Sequence, residues 1–476
     1  MIKEYGNSYD ETDSLSIEEY GKKLIGKTFK QVCDDDNKHT ETINDSIDYK
    51  ANHANKKRKG GLGELIEERY FHYKANNDSN PDFDKAGVEL KVTPYKINKN
   101  GSISAKERLI ITMIDYFSVI NENFMESHFW KKGRLILLVY YLYQQELKSR
   151  LDYKIGYVKL FTPSKHDIQI MMHDYSIIVN KIREGKAHEL SEADTLYLGA
   201  APKAATSKDR RKQPCSEELA KPRAFAFKNS YMTYILNNYI IPNNQAYEPI
   251  LKDDISCSFE DYVINKIIEY RGMAIDDLCL LFNIDYDRKP KNLEAMLAYR
   301  ILGIKGNHAE EFEKANIKVK TIRIEKNNKI KESMSFPTFK FNELIEEEWE
   351  NSYFKSYLSE TRFLFVVYKY DNNDVLHLKG CQFWNIPFRE LNEEVQTVWK
   401  KTKQVLIEGL QIIQRKGKNY NNLPSASENP VCHVRPHGKN AQDTYELPDG
   451  RLLTKQCFWL NNTYILKQLD KRIVGD

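Results

Sequence analysis

The sequence predicts an α/β protein of two tandem domains, each a mixed central sheet flanked by helices. Three observations lead there. The chain has 476 residues, enough for roughly two to four domains at about 150 residues each. An amphipathic helical pattern runs into an alternating strand pattern near residue 90. The same order of segments then returns in diverged form, 225 to 233 residues later, as expected of an internal duplication.

Residues 1–49 form an acidic, helical lead-in; the first 50 residues hold twelve Asp/Glu against seven Lys/Arg. The block Lys56-Lys57-Arg58-Lys59 opens a first domain spanning 50–240. Leu62, Leu65, Ile66 and Tyr70 recur at helical spacing, which predicts a helix from Gly61 to about Tyr73. The composition of NNDSNP, residues 76–81, predicts a turn. From Gly87 to Thr93 apolar Val88, Leu90 and Val92 alternate with Glu89, Lys91 and Thr93, the period of a strand. RLILLVYY from Arg134 reads as a buried strand. Between Ala201 and Lys228 eight Lys/Arg face three acids, with Phe225, Phe227 and Tyr231 among and just beyond them. That mixture suits a phosphate backbone and exposed bases, against the plainer alternative of a solvated face. Residues 241–274, with Ile241-Pro242-Asn243-Asn244, read as a linker, and 275–476 as the second domain.

Composition narrows the function classes. Hydrophobic residues make up 41% and charged residues 29%, a globular balance rather than a disordered one. The longest apolar run, Leu135 to Tyr143, is too short for a membrane span, and the polar N-terminus shows no secretory signal. Seven scattered cysteines without C-x-x-C argue against a disulfide framework or a Cys-based zinc site. His188-Glu189 lacks the second histidine of a zincin, and Cys432 to His437 lacks a fourth zinc ligand nearby. A soluble, intracellular, multidomain protein with no membrane partner is expected.

The chemistry concentrates between residues 59 and 95. A strand period of two puts Glu89 and Lys91 on one face, with Asp82 seven residues upstream and Glu67 on the preceding helix. Phosphodiester hydrolysis needs hard oxygen ligands for Mg²⁺, which Asp82, Glu89 and Glu67 can supply. It also needs a cation near the scissile phosphate, a role for Lys91. A chance Glu-x-Lys surface pair beside an unrelated Asp is the plainer alternative.

K-G-x-x-G-x-L-I-E from Lys59, followed by D-F-x-x-x-G-V-E-L-K from Asp82, resembles the active-site segment of the MutH family. The resemblance implies two restriction-endonuclease-like (MutH-like) domains, acidic ligands at Glu67, Asp82 and Glu89, a catalytic lysine at Lys91, and a second lysine near DNA at Lys59. KAHELSEADTLYL (186–198), PKAA (202–205) and RAFAFKNSYMTYIL (223–236) are similar to the family's DNA-reading end. They nominate Pro202, Lys203, Arg223, Lys228 and Tyr231 for DNA binding. Where the family has Arg-Pro, this chain has Ala201-Pro202, so Arg210, Arg211 or Arg223 would have to read guanine instead. The implied activity is a Mg²⁺-dependent type II restriction endonuclease cutting double-stranded DNA before the G of GATC. Its implied partners are GATC-containing DNA and a cognate DNA methyltransferase, with dimerisation on DNA to cut both strands. The alternatives are a strand-nicking repair endonuclease of the same family and a non-cleaving sequence-specific DNA-binding protein.

The second copy departs where chemistry would occur. Asp82 to Lys91 resembles Glu311 to Lys320, but the position of Glu89 becomes Lys318. Near the position of Glu67 stand Ala295-Met296-Leu297-Ala298, without an acid. Conversely, Arg435-Pro436 stands where the first copy has Ala201-Pro202, followed by His437. The second domain is therefore expected to be catalytically degenerate and to bind DNA through Arg435, Pro436 and His437.

Overall fold

A computed structural model describes residues 9–37, 61–73, 80–98, 100–204, 206, 208–241, 247–284, 290, 292–415 and 418–475. The chain divides into two compact units, residues 1–247 with 313–315, and residues 248–312 with 316–476.

In the first unit, helices α1 (Ser14–Lys22) and α2 (Phe29–Asn37) precede α3 (Gly61–Arg69). Strand β1 (Glu89–Ile97) pairs in parallel with β4 (Ile136–Leu142) and antiparallel with β2 (Ile103–Ala105). β5 (Lys154–Phe161) completes the sheet in the order β2-β1-β4-β5. A second sheet, β3-β9-β6, is built from Leu109–Met113, Arg223–Phe227 and Leu198–Pro202. Between β6 and β9 lies the hairpin of β7 (Arg211–Gln213) and β8 (Ser216–Ala220). Helices α4 (His128–Gly133), α5 (Lys165–Arg183) and α6 (Asn229–Ile235) complete the unit.

The helical lead-in is part of this unit's core. Ile17, Leu24, Phe29, Val32 and Cys33 pack with Leu62, Leu65 and Ile66 of α3 and with Val88 and Leu90. Each such buried aliphatic side chain contributes about 1.5–3 kcal/mol. Tyr9 donates to the Phe71 carbonyl at 3.0 Å and packs edge-on to Phe83, while Arg69 bonds Asp36 at 3.0 Å. The N-terminal helices thus brace both α3 and the turn that carries Asp82. Helix α3 ends at Arg69, short of the expected Tyr73, because His72 takes a left-handed backbone (φ 58°). Strand β1 runs past the expected Thr93 to Ile97, although Pro94 offers no N–H to a ladder.

The second unit repeats the plan. Helices α7 (Phe259–Ile268), α8 (Ile275–Leu281), α9 (Leu293–Ile301) and α10 (Glu310–Ala315) lead to β10 (Ile317–Ile324). Helix α7 falls in the expected linker yet packs on the unit's sheet, with Phe259, Val263 and Ile267 buried. The described structure therefore contains no free connector over 259–268. β11 (Met334–Phe339), α11 (Phe341–Glu346), α12 (Tyr353–Glu360), β12 (Arg362–Tyr370) and β13 (Leu376–Trp384) follow. Next come α13 (Gln396–Glu408), β14 (Ile412–Arg415), β15 (Lys418–Asn421) and β16 (Cys432–Pro436). β17 (Thr444–Glu446), β18 (Leu452–Thr454), β19 (Gln456–Leu460), α14 (Asn462–Gln468) and the short α15 (Lys471–Val474) close the unit.

The sheets are β10-β12-β13, with β10 and β12 parallel, and β11-β19-β16. These match β1-β4-β5 and β3-β9-β6 strand for strand. Small features repeat as well. Ser127 and Ser352 are both buried, and each caps the helix that follows. Gly87 (φ 67°) and Asn316 (φ 52°), 229 positions apart, turn the chain into β1 and β10 with the same left-handed backbone. Glycine and asparagine are the residues that accept it most readily. At Gly87 a Cβ would also lie 2.8 Å from an Arg134 Nη2.

Candidate active site and nucleic-acid interface

The four candidate catalytic residues converge at the start of β1. Burial of Leu62, Leu65 and Ile66 fixes which face of α3 meets the sheet, and Glu67 lies beside that face. Asp82 sits in the turn before β1, where its Oδ2 accepts from the Leu90 amide at 2.8 Å. Glu89 opens β1 opposite Ile136, its side chain 2% exposed. Lys91 Nζ donates to Glu89 Oε1 at 2.5 Å.

The carboxylates crowd one another. Burial, and then the charge of Asp82, push the Glu67 carboxyl up to about 7. Burial and the charge of Glu89 raise Asp82, against the pull of Lys91 and the Leu90 amide. These are the two standard causes of a raised carboxylate, desolvation and a like charge.

The sequence alone missed two neighbours. Lys132, in the last turn of α4, places Nζ 3.4 Å from Glu89 Oε2. Tyr73, just beyond α3, is raised by burial and then by Asp82, Glu67 and Glu89, and its buried hydroxyl makes no hydrogen bond. Lys132 lies 41 positions from Lys91 and is joined to it only by the parallel pairing of β1 and β4. Tyr73 ends the amphipathic run and carried no signal beyond packing.

Among the described residues, no three His, Cys, Asp or Glu side chains are drawn together closely enough to chelate a metal. The donor chemistry nonetheless fits a hard divalent cation. Glu67, Asp82 and Glu89 are carboxylates under mutual repulsion, and buried Glu89 Oε2 has no hydrogen bond. A divalent ion would relieve both conditions.

The nucleic-acid candidates separate into two groups. Pro202, Lys203, Arg210 and Arg211 are exposed, at the end of β6 and in the hairpin that follows. Arg223, Lys228 and Tyr231 are buried, a correction to their expected role. Arg223 Nη1 donates to the Ala200 carbonyl at 2.6 Å. Tyr231 is fully enclosed and donates to Asp167 Oδ2 at 2.9 Å. Lys228 Nζ donates to the Thr195 carbonyl. The second unit shows that this last contact is architectural: Asn461, 233 positions on, donates through Nδ2 to Asn429 O at 2.7 Å. Lys59 lies outside the described residues, as do its basic block and residues 76–79 of the expected turn.

The strand that presents the exposed group is fixed from beneath. Asp174 of α5, fully buried, accepts from the amides of Leu196, Tyr197 and Leu198 at 2.7, 2.7 and 2.9 Å. Ala201 is itself buried, so it leaves no side chain toward solvent where the family has arginine.

In the second unit the metal-site equivalents are engaged elsewhere. Glu311 accepts from the amides of Ile250 and Leu251 at 2.8 and 2.9 Å. An acid does stand on α9, one residue before the acid-free window: Glu294, buried and ion-paired with Arg323. Lys318 replaces Glu89, and burial depresses the pKa of Lys320. Arg435, Pro436 and His437 are exposed at the end of β16.

A duplicated two-sheet fold with an acidic, lysine-flanked site in one copy defines the class. The family model described as DNA mismatch repair enzyme MutH matches residues 71–174 and 302–390, one stretch in each unit. The type II restriction enzyme Sau3AI of Staphylococcus aureus is 38% identical over 480 residues, covering 91% of this chain and 97% of that enzyme. DNA mismatch repair proteins MutH of Shewanella baltica (strain OS155) and Vibrio parahaemolyticus are 28% and 27% identical over 188 and 191 residues. Those matches cover 38% and 39% of this chain and 80% and 81% of the repair proteins. The chain belongs to the MutH family, and its match to the restriction enzyme covers 91% of its length, against 38% and 39% for the repair proteins.

Among the described residues, no helix is long and apolar enough to cross a membrane.

Proposed function

We propose that this chain is a type II restriction endonuclease that hydrolyses double-stranded DNA before the G of GATC, using Mg²⁺. The observation that carries the proposal is the cluster of Glu67, Asp82, Glu89 and Lys91 at the head of β1, in a chain similar over 91% of its length to a type II restriction enzyme. The repair relatives match well under half of the chain, so a second unit has no counterpart in them.

Glu67, Asp82 and Glu89 would hold the Mg²⁺ ion, which when bound supplies Lewis acidity and charge neutralisation at the scissile phosphate. Before DNA arrives, Lys91 and Lys132 balance the Glu89 carboxylate from its two oxygens. With a divalent ion held by the three carboxylates, the Lys91 ammonium would be free of Glu89 to orient the attacking water and to stabilise charge building on the phosphoryl oxygens. Hydrolysis joins the water oxygen to phosphorus and expels O3′, leaving 5′-phosphate and 3′-hydroxyl ends. Lys203, Arg210 and Arg211 supply charge to the backbone around the cut.

A symmetric site needs two cuts and the chain has one intact constellation, so two chains meet on DNA or one acts twice. The enzyme works in the bacterial cytoplasm beside a methyltransferase that protects host GATC sites. Treatment of supercoiled plasmid with and without GATC tests the proposal. Linear product from the GATC plasmid alone is expected. Nicked circles only would favour the repair activity, and unchanged plasmid would leave a binding protein.

A further inference from the structure

We infer that Trp459 is a positioning residue for base reading by the second unit, holding the Arg435 guanidinium in a fixed plane against its indole. The inference rests on the second unit being a DNA-binding unit and deepens that proposal.

Strands β16 and β19 are antiparallel, with His433 opposite Trp459 and Arg435 opposite Cys457. A period of two puts His433 and Arg435 on one face of β16, with His437 next in that series beyond the strand's end. Trp459 lies directly across from His433 and diagonally from Arg435, a separation that aromatic and long side chains bridge. The contacts follow from that register. Arg435 Cζ lies 4.6 Å from the Trp459 ring centroid, inside cation–π range. Trp459 Nε1 donates to the Arg435 carbonyl at 3.3 Å, so the indole engages the residue at both its side chain and its backbone.

The indole is itself held. The His433 ring lies near-parallel to it at 6.4 Å and 17°, and His433 Nδ1 is 2.6 Å from Asn461 Oδ1. His437 meets it edge-on at 5.2 Å and 83°. His433 and Asn461 are buried, whereas Arg435, Pro436 and His437 face solvent. The device is anchored on one side and open on the other.

The first unit supplies the control. At the corresponding places, 233 or 234 positions earlier, stand Gly199, Ala201, Lys203 and Ala226, with Gly199 opposite Ala226 in the same antiparallel register. Arginine and indole occur together in one unit and are missing together from the other. That coupling is expected if the two side chains form one device. A guanidinium reads guanine O6 and N7 through two parallel donors, and stacking its plane beforehand removes much of the ordering cost.

The test uses the full-length protein in EDTA, which blocks cutting, with a labelled duplex holding one GATC and a scrambled duplex. Arg435→Ala should lower the GATC preference by about tenfold or more. Trp459→Ala should lose most of the same preference, and Trp459→Phe, which keeps an aromatic face, should retain it. The Arg435→Ala/Trp459→Ala double variant should be no worse than Arg435→Ala alone, the signature of coupled residues. Should Trp459→Ala fail to fold, Trp459→Leu is compared with Trp459→Phe in the same way. Preference unchanged in Trp459→Ala but lowered in Arg435→Ala would overturn this inference and leave base reading by the second unit intact. Additive losses would make Trp459 an independent DNA contact, which also contradicts it. Wild-type preference in Arg435→Ala would remove base reading by Arg435 altogether, and an equal loss on both duplexes would mean a phosphate contact.

Discussion

The two units share one plan of strands and opposite chemistry. In the first, β1 opens with Glu89 and Lys91 beside Asp82 and Glu67, while the end of β6 carries only buried Ala201 before Pro202 and Lys203. In the second, β10 has Lys318 in place of Glu89, and the end of β16 sets the Arg435 guanidinium over the Trp459 ring. The proposed function divides cutting and base recognition between the copies. What survives in both is what folding needs. Asn429 in the second unit accepts from the amides of Val431 and Cys432 at 2.9 and 3.0 Å, as Asp174 does from Tyr197 and Leu198 in the first. Different side chains satisfy the same backbone groups because buried amides must be paired in either copy.

The largest expected effect falls on the first unit's acids. Asp82→Ala or Glu89→Ala should lower plasmid cleavage by about a thousandfold or more while leaving duplex binding near wild type, because metal-linked stabilisation is worth several kcal/mol and neither residue meets a base. Parallel loss of binding would make both acids structural. Lys318→Glu in the second unit should not create a nuclease. Glu311 stays bound to the Ile250 and Leu251 amides and Glu294 to Arg323, so one restored acid lacks companions. Metal-dependent cutting by a Lys318→Glu chain whose first site is disabled by Asp82→Ala would break the comparison.

Next is Lys91→Ala, expected to cut turnover by about a hundredfold to a thousandfold without rescue by added Mg²⁺, since the ammonium acts on the reacting phosphate. Titration of activity against Mg²⁺ concentration checks it. A full return of activity at high Mg²⁺ would assign Lys91 to metal retention instead.

How far the sequence foretold this division depends on residue spacing. Strand β1 and its acids were legible because period-two alternation places Glu89 and Lys91 without any knowledge of the rest of the fold. The duplication was legible because both sheets reuse the same buried strands. The DNA face was not. Arg223, Lys228 and Tyr231 sit among aromatics and read as a basic stripe, yet β9 is the central strand of its sheet, buried throughout. Arg223 shares the strand phase of Phe225 and Phe227, and that shared phase was the one available sign of its burial. Lys132 and Trp459 reach their partners only through strand pairing, which a single sequence does not reveal.

A smaller effect concerns pH. The Glu67 carboxyl is raised from 4.5 to about 7 in the folded, metal-free protein, so between those values the folded state binds more protons than the unfolded one. Stability should therefore fall as pH rises through that window. Asp82 is displaced in the same direction. Melting temperatures of the metal-free protein between pH 5 and 8 should show the decline. Glu67→Gln should flatten it, and Mg²⁺ should oppose it by binding the ionised carboxylates. A Tm that rises over this window in wild type and falls only in Glu67→Gln would reverse the assignment.

The most direct measurement of the division of labour takes the second unit alone, residues 248–476, a length that can bury its own core. Incubated with Mg²⁺ and labelled duplexes, it should bind GATC in preference to scrambled sequence by about 1–3 kcal/mol, lose that preference in Arg435→Ala, and leave every strand intact. Cleavage by this fragment, or binding indifferent to sequence, would contradict the account.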